Sequence, residues 1–276
     1  MVATQTSSNL DVQVDAVKSA GYAVLPAVLT ADQIKRARAI LLEIFAQEKK
    51  RGSRENWENP QYQISLCLPA KHKFFRELCA TWQILEFARL LLGEDCVVTS
   101  MNGFTTKPNG VRQPLHLDFF GDRKMLTSLL FILCLDDFTA ENGGTRVVPY
   151  SQRKHGREKS FEFLEDQAVT IEAPAGSILV YDADLVHSAG FNQSTDFRLC
   201  LHIVYSLAWI KPQWDIALSM PKGLRDRLTK SERALFGIDN HPFVLDSYTG
   251  RPIDFAKSGR LVHYVKQLRS KLTSGL

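Results

Sequence analysis

The stretch MLTSLLFILCL, residues 125–135, contains the longest apolar run of the chain, Leu129–Leu135. This run is far too short to cross a bilayer as a helix, which needs about 20 apolar residues. Its length and composition are those of a β-strand that is buried on both faces. The stretch therefore predicts a fully buried strand, and the sequence around it predicts the sheet to which that strand belongs.

Short β-rich pieces surround this strand from residue 97 onward, and Gly, Pro, Asn and Asp separate them. The candidate strands are 97–105, 115–118, 125–135, 145–149, 168–171, 177–181, 186–187 and 197–208. About eight strands without long intervening helices are typical of a jelly roll or a related double-sheet barrel. We expect a mainly β protein with flanking helices and a double-stranded β-helix core of the jelly-roll, cupin-like type.

Helices are predicted on both sides of the β-rich region. Thr30 is expected to cap a helix over about residues 31–50, whose apolar residues recur every three to four positions. A second helical region covers about 73–92 with a break near Thr81, and a C-terminal helix is expected near 260–271.

The chain shows no internal repeat, low-complexity tract or linker, so residues 1–276 are expected to form a single domain. We divide it into a helical N-terminal part at about 14–95, the jelly-roll core at about 96–210 and a C-terminal extension at about 211–276. The sequence leaves the oligomeric state open, a homo-oligomer included.

Composition narrows the class of protein. The chain is 45% hydrophobic, an ordinary share for a globular protein, and its net charge is +4. The dense basic cluster falls on and after the first predicted helix, where a solvated face is expected, so we infer no nucleic-acid partner. Without a secretory signal, a membrane span or paired cysteine spacing, we expect a cytoplasmic protein with reduced thiols and no membrane partner.

His116 and Asp118 stand two residues apart, and His187 follows far downstream. In a β-strand, residues i and i+2 point to the same side, so this imidazole and this carboxylate would converge on one point. Two histidines and one carboxylate are the ligand set of non-haem Fe(II) oxygenases. Taken alone, a histidine and an aspartate at this spacing also occur by chance.

Arg198 lies eleven residues beyond His187, at the start of the last predicted strand. Alternation along that strand places Arg198, Cys200 and His202 on one face, and no carboxylate shares this face. A guanidinium that points into a barrel needs an anionic partner, because burying it unpaired is costly. A bound dicarboxylate that pairs with Arg198 through one of its carboxylates satisfies that need.

These motifs occur in an order that resembles the phytanoyl-CoA dioxygenase superfamily of Fe(II)/2-oxoglutarate-dependent oxygenases. The resemblance spans nearly the whole chain. It begins with GYAVLP (Gly21–Pro26) and continues through His116-Leu117-Asp118, ENGGTRVVP (Glu141–Pro149), His187 and Arg198. Each motif alone is weak, whereas the ordered set is specific.

The resemblance implies three cofactors or co-substrates: Fe(II), 2-oxoglutarate and O2. It implies that His116, Asp118 and His187 bind the iron. It also implies that Arg198 binds the C5 carboxylate of 2-oxoglutarate.

Further residues match positions that hold the co-substrate in fungal members of the superfamily. They are Gln113 and Thr145, and Gln63 is a third polar candidate. The chain departs from the family pattern at Ala189, where many members have a serine that donates a hydrogen bond to the co-substrate, so another donor must replace it. It also departs at Tyr150-Ser151-Gln152, which replaces the usual Gly-Ser-His.

Aromatic residues near these motifs are candidates for the substrate pocket: Phe119, Phe120, Trp57, Tyr62 and Tyr150. Phe119 and Phe120 would equally suit a plug at the barrel mouth. The loop around Trp57 and Tyr62 is a candidate lid, and a plain surface loop is the alternative.

The remaining histidines are expected to be surface or core residues rather than ligands: His72, His155, His241 and His263. His202 is the competitor for the metal, because it shares the face of Arg198. We assign His202 to the core or to a position behind the ligands.

The resemblance implies a dioxygenase that oxidises a small molecule, most simply by hydroxylation, in specialised metabolism. Asp118 favours this over halogenation, because related halogenases have Gly or Ala there and so leave a place for chloride. Desaturation, ring closure or rearrangement by the same oxidant are alternatives. Two further alternatives for the function are a cupin-like metal enzyme that does not use 2-oxoglutarate and a non-catalytic sensor.

Overall fold

The computed structural model describes residues 3–52, 62–118, 125–152, 154, 160–212 and 214–238. The chain divides into two units, Met1–Ile238 and Asp239–Leu276, and all described residues belong to the first. The helix predicted near 260–271 lies outside the described residues. The single domain over 1–276 stays a prediction.

The described part of the chain contains nine strands, which form two antiparallel sheets. They are β1 (Tyr22–Leu25), β2 (Tyr62–Ser65), β3 (Val97–Thr106), β4 (Ser128–Cys134), β5 (Thr145–Val147), β6 (Val169–Thr170), β7 (Ile178–Asp182), β8 (His187–Ala189) and β9 (Arg198–Ser206). The larger sheet has the order β1-β7-β4-β9-β3-β2 and the smaller one β6-β5-β8. All seven residues of β4 are buried, as predicted for the apolar run.

Side chains of β4 alternate between two hydrophobic clusters, so the larger sheet is covered on both faces. Residues on one face, together with Val147 of the smaller sheet, form the barrel interior: Leu130, Ile132, Cys134, Leu179, Tyr181 and Cys200. Residues on the other face pack against the helices: Leu129, Phe131, Leu133, Leu199 and Leu201. Two sheets that face each other across a shared interior confirm the predicted jelly-roll core.

Most helices lie before β3 or after β9, and among the described residues only a 3-10 helix interrupts the strands between them. The helices are α1 (Ala3–Ala20), α2 (Ala31–Lys50), α3 (Leu68–Lys71), α4 (Lys73–Cys79), α5 (Trp82–Leu92), a 3-10 helix (Glu162–Gln167), α6 (Ile216–Ser219), α7 (Lys222–Arg225) and α8 (Lys230–Leu235). Thr30 caps α2 through a capping box with Gln33, as predicted. The predicted break near Thr81 separates α4 from α5. Helix α1 begins well before the predicted helical part at about residue 14.

The strand predicted at 115–118 is wrong. Among these residues only His116 pairs, in an isolated antiparallel bridge with His187 of β8. Pro114 has no N–H group and cannot extend the ladder on its side. The bridge nevertheless fixes the backbone at His116, which is the part that the site needs.

No helix among the described residues is long and apolar enough to span a membrane. All five cysteines are buried free thiols, in line with the sequence-based expectation: Cys67, Cys79, Cys96, Cys134 and Cys200. Cys134 and Cys200 lie opposite each other on β4 and β9.

The glycines of the segment 141–149 allow two backbones to touch beside β8. A Cβ atom on Gly190 would lie 2.6 Å from the carbonyl oxygen of Gly144, and one on Gly143 would lie 2.7 Å from that of Gly190. The Gly190 N–H donates to the Gly144 carbonyl at 3.1 Å. Contacts this close explain why both segments carry glycine rather than a larger residue.

Replacing Gly190 by alanine is expected to destabilise the protein by about 1–3 kcal/mol, because backbone atoms cannot rotate away from the new methyl group. Chemical denaturation monitored by fluorescence measures the change. Gly223→Ala is the matched control, because the nearest atom lies 3.6 Å from its added Cβ. Equal unfolding midpoints for Gly190→Ala and the unmodified protein would contradict the close-contact account.

Candidate metal and co-substrate site

His116 and His187 are joined by two reciprocal backbone hydrogen bonds. The His116 N–H donates to the His187 carbonyl at 2.9 Å, and the His187 N–H donates to the His116 carbonyl at 3.0 Å. The two imidazole rings lie side by side, with centroids 4.4 Å apart. A direct backbone pair therefore sets the separation of the two predicted histidine ligands.

Each imidazole is oriented by a backbone carbonyl two residues before it. Nδ1 of His116 lies 3.0 Å from the Pro114 oxygen, and Nδ1 of His187 lies 2.9 Å from the Leu185 oxygen. A proton on Nδ1 that donates to the carbonyl leaves the Nε2 lone pair free, which is the usual arrangement of a metal-binding histidine. Burial lowers the pKa of His187 to about 4, so its ring is neutral at neutral pH.

Asp118 completes the cluster. Its Oδ1 lies 3.9 Å from Nε2 of His116, and its Oδ2 lies 3.6 Å from Nε2 of His187. These distances are too long for hydrogen bonds. Ligand atoms that each bind one divalent ion at about 2.1 Å lie at most about 4.2 Å apart, so both distances fit a shared ion. His116, Asp118 and His187 are the group of potential ligands found in the described part of the chain.

Arg198 is buried at the start of β9, with 3% of its surface exposed. Its Nη2 donates to Oγ1 of Thr106 at 2.7 Å, and its Cζ lies 4.0 Å from the ring centroid of Phe138. Its Nε and Nη1 have no hydrogen-bond partner among the described residues. The guanidinium therefore offers two buried donors that no oxygen or nitrogen atom of the described residues accepts.

This arrangement fits a dicarboxylate co-substrate. A buried guanidinium with unused N–H donors suits a carboxylate as its charge-assisted hydrogen-bond partner. Three protein ligands on one side of an ion leave positions for the other end of a chelating molecule. The donor types fit Fe(II) and 2-oxoglutarate: His116, Asp118 and His187 could hold the metal, and Arg198 could pair with a carboxylate.

Gln113 and Thr145 both lie beside Ala189. The Ala189 N–H donates to Oε1 of Gln113 at 2.7 Å, and Thr145 pairs with Ala189 across β5 and β8. Both residues therefore flank the strand that carries His187. Contact of either one with 2-oxoglutarate stays a prediction.

The structure does not bring Gln63 to Arg198. Gln63 pairs with Thr105, which pairs with Leu199 in the next strand, and Leu199 belongs to the helix-side cluster. Residues that lie directly opposite each other share a face, so Gln63 points away from the barrel interior. The predicted place of Gln63 at the co-substrate does not agree with this register.

Tyr62 lies on the interior face of the same strand. It pairs with Thr106, and its ring meets the ring of Phe104 edge to face at 5.8 Å. The Phe104 ring lies 4.2 Å from that of His202. These three rings form an aromatic wall beside Arg198. Desolvation and the charge of Arg198 lower the pKa of His202 to about 3, so it is neutral, and it is not part of the ligand group.

The other aromatic candidates are not placed at the site. Tyr150 is 58% exposed, and its N–H donates to the Ala20 carbonyl at the end of α1. Trp57, Phe119 and Phe120 lie outside the described residues. Gln152, in the segment that departs from the family pattern, donates through Nε2 to the Ser19 carbonyl at 2.8 Å and so helps to hold α1.

Three residues that contact the predicted site residues are not predicted from the sequence: Thr106, Phe138 and Tyr181. Thr106 and Phe138 contact Arg198, and the Tyr181 ring lies 4.7 Å from that of His187. All five residues of β7 are buried, so the sequence of this strand does not show which of them face the barrel interior.

Known proteins share this fold. The Aspergillus fumigatus protein Dioxygenase af480 is 26% identical over 238 residues, which cover 83% of this chain and 77% of the relative. The crystal structure of the non-heme alpha ketoglutarate dependent carbocyclase SnoK from nogalamycin biosynthesis has a TM-score of 0.61 and 25% identity, covering 79% of this chain and 90% of SnoK. The epimerase SnoN from the same biosynthesis has a TM-score of 0.62 and 21% identity, covering 73% of this chain and 84% of SnoN.

The family described as phytanoyl-CoA dioxygenase (PhyH) matches residues 17–200. This range begins within α1 and includes every strand of both sheets up to the start of β9. It contains the three predicted metal ligands and Arg198. The chain therefore belongs to the phytanoyl-CoA dioxygenase family of iron- and 2-oxoglutarate-dependent oxygenases.

Proposed function

We propose that this protein hydroxylates a small molecule of specialised metabolism and decarboxylates 2-oxoglutarate to succinate in the same turnover. The observation that carries the proposal is the pair of unused donors on buried Arg198, in the same barrel as a cluster of two histidines and an aspartate. Specialised metabolism is supported by the names of SnoK and SnoN, which belong to nogalamycin biosynthesis.

The residues of the proposed site have two roles, which are to bind the metal and to orient the dicarboxylate. His116, Asp118 and His187 offer three ligands, and Asp118 adds the negative charge that offsets part of the charge of a divalent ion. Arg198 binds and orients the dicarboxylate. When bound, iron(II) with 2-oxoglutarate and O2 supplies an oxidant that can remove hydrogen from an unactivated carbon.

The aromatic wall of Tyr62, Phe104 and His202 gives the interior an apolar side near Arg198. Such a surface suits an uncharged or weakly polar molecule better than a phosphate-bearing one. We therefore do not take the coenzyme A ester in the family's name as the substrate. We propose a cytoplasmic enzyme that needs neither a nucleic-acid nor a membrane partner.

Ring closure is the second candidate, because SnoK, named as a carbocyclase, covers most of this chain. The same initial oxidation leads to either product. Hydroxylation adds one oxygen atom to the substrate, whereas ring closure removes two hydrogen atoms. Mass spectrometry of the product therefore separates the two.

Turnover of 2-oxoglutarate with a small-molecule substrate tests the proposed reaction. Small metabolites screened with Fe(II), 2-oxoglutarate and O2 are expected to include compounds that stimulate succinate release and gain one oxygen atom. Asp118→Ala is the control and is expected to lose iron binding or succinate release, because it removes the carboxylate ligand of the proposed metal site. Full succinate release by Asp118→Ala would contradict the assigned metal site.

The affinity for 2-oxoglutarate tests the role of Arg198. Arg198→Ala is expected to weaken 2-oxoglutarate binding by about 3 kcal/mol or more, over 100-fold, because it removes the charged partner of a buried carboxylate. Calorimetric titration of 2-oxoglutarate into metal-loaded protein measures the change. Iron affinity without co-substrate should stay the same.

Arg146→Ala is the matched control for Arg198. Arg146 is also a buried arginine, but its Nη2 donates to Glu165 at 2.7 Å on the smaller sheet. Its loss should lower stability and leave 2-oxoglutarate affinity unchanged. Equal affinity losses in the two variants would show that the effect of Arg198→Ala comes from disruption of the barrel.

A further inference from the structure

Tyr181 of β7 has a buried hydroxyl group for which the described residues provide no hydrogen-bond partner. The side chain is fully buried, at 0% exposure, and the hydroxyl has no hydrogen-bond partner in the described parts of the chain. An unsatisfied buried hydroxyl costs about 1–3 kcal/mol. A phenylalanine would fill nearly the same space without that cost, so the hydroxyl needs a reason.

The position of Tyr181 places this group at the site. Its side chain belongs to the barrel interior, and its ring lies 4.7 Å from the ring of His187. Burial raises the pKa of Tyr181 well above its usual value, and the negative charge of Asp118 adds to this effect. Asp118 is at the metal end of the site.

A second buried tyrosine of the same sheet, Tyr205, has a hydroxyl group with a hydrogen-bond partner in the protein. Tyr205 of β9 is also 0% exposed, but it faces the helices, and its hydroxyl donates to the Cys79 carbonyl. The protein therefore provides an acceptor for a tyrosine in its outer core. Tyr181, which faces the interior, has none of its own among the described residues.

The co-substrate can provide the acceptor that the Tyr181 hydroxyl lacks among the described residues. Asp118 is a possible acceptor, but it is assigned to the metal. The carboxylate oxygens of 2-oxoglutarate are the other possible acceptors, because this molecule would reach from the metal ligands to Arg198. Ala189, two residues after His187, has no side-chain donor of its own. We propose that Tyr181 is a positioning residue whose hydroxyl donates a hydrogen bond to a carboxylate oxygen of 2-oxoglutarate. The proposal rests on the use of 2-oxoglutarate proposed above.

Tyr181→Phe tests this assignment, because it removes only the hydroxyl. With the protein loaded with Ni(II), which does not support turnover, calorimetric titration should show about tenfold or greater weakening of 2-oxoglutarate binding, the effect of one hydrogen bond to a charged group. Ni(II) affinity without 2-oxoglutarate should be unchanged. The thermal midpoint of the metal-free variant should be equal to or higher than that of the unmodified protein.

Tyr205→Phe is the matched control and should behave in the opposite way. It leaves the Cys79 carbonyl without its donor, so the thermal midpoint should fall while 2-oxoglutarate affinity stays unchanged. This crossed pattern separates a lost ligand contact from a general loss of packing, because both substitutions remove one buried hydroxyl from the same sheet.

Three results would overturn the proposal. Unchanged 2-oxoglutarate affinity in Tyr181→Phe, with normal binding by the unmodified protein, would refute the role of Tyr181 alone. Weaker Ni(II) binding in Tyr181→Phe would show that the residue acts through His187 instead. No 2-oxoglutarate binding by the metal-loaded unmodified protein would refute the proposed function, and the assignment of Tyr181 with it.

Discussion

Two reciprocal hydrogen bonds between the backbones of His116 and His187 hold the candidate metal site together. They join a segment that makes only one bridge to the smaller sheet, and they place two imidazoles side by side. Carbonyl groups two residues earlier then turn each Nε2 toward the same space. The position of Asp118 follows, because it lies two residues after His116. The glycine contact between 143–144 and 190 supports this pair from the other end of β8.

The second constraint is electrostatic. Burial of Arg198 with two unused donors lowers stability unless an anion binds there. The protein meets part of the need through Thr106 and the ring of Phe138. Tyr181 adds an uncharged donor near the metal ligands that has no partner among the described residues. We propose that these buried groups give the interior affinity for a dicarboxylate at some cost in stability, a common feature of binding sites.

Much of this could be predicted from the sequence because it depends on local patterns. Apolar runs and turn residues indicated most strand positions, and Thr30 marked the start of α2 through capping chemistry. Alternation along β9 was enough to predict that Arg198 points into the interior, because that face depends only on the period of two along a strand. The direct pairing of His116 with His187 could not be predicted, because nothing in either segment encodes its partner across such a sequence distance.

The structure differs from the sequence-based expectation for two side chains, Gln63 and Tyr150. Strand register explains the first difference, and a turn explains the second. Gln63 is next to Tyr62 in sequence, yet a shift of one residue puts it on the opposite face of the sheet. Tyr150 directly follows the ENGGTRVVP segment but lies in a turn with a φ of 64° and remains exposed. Tyr181 could not be singled out because a tyrosine in a buried strand carries no motif. Its significance comes only from the lack of an acceptor for its hydroxyl among the described residues.

The central claim is that the histidine–aspartate cluster and Arg198 form one site for a metal-chelating dicarboxylate. Anaerobic addition of Fe(II) and then 2-oxoglutarate tests it most directly, because chelation of Fe(II) by 2-oxoglutarate gives a visible charge-transfer band. We predict a band that saturates at one 2-oxoglutarate per iron. A folded, iron-loaded protein that gives no such band would contradict the claim.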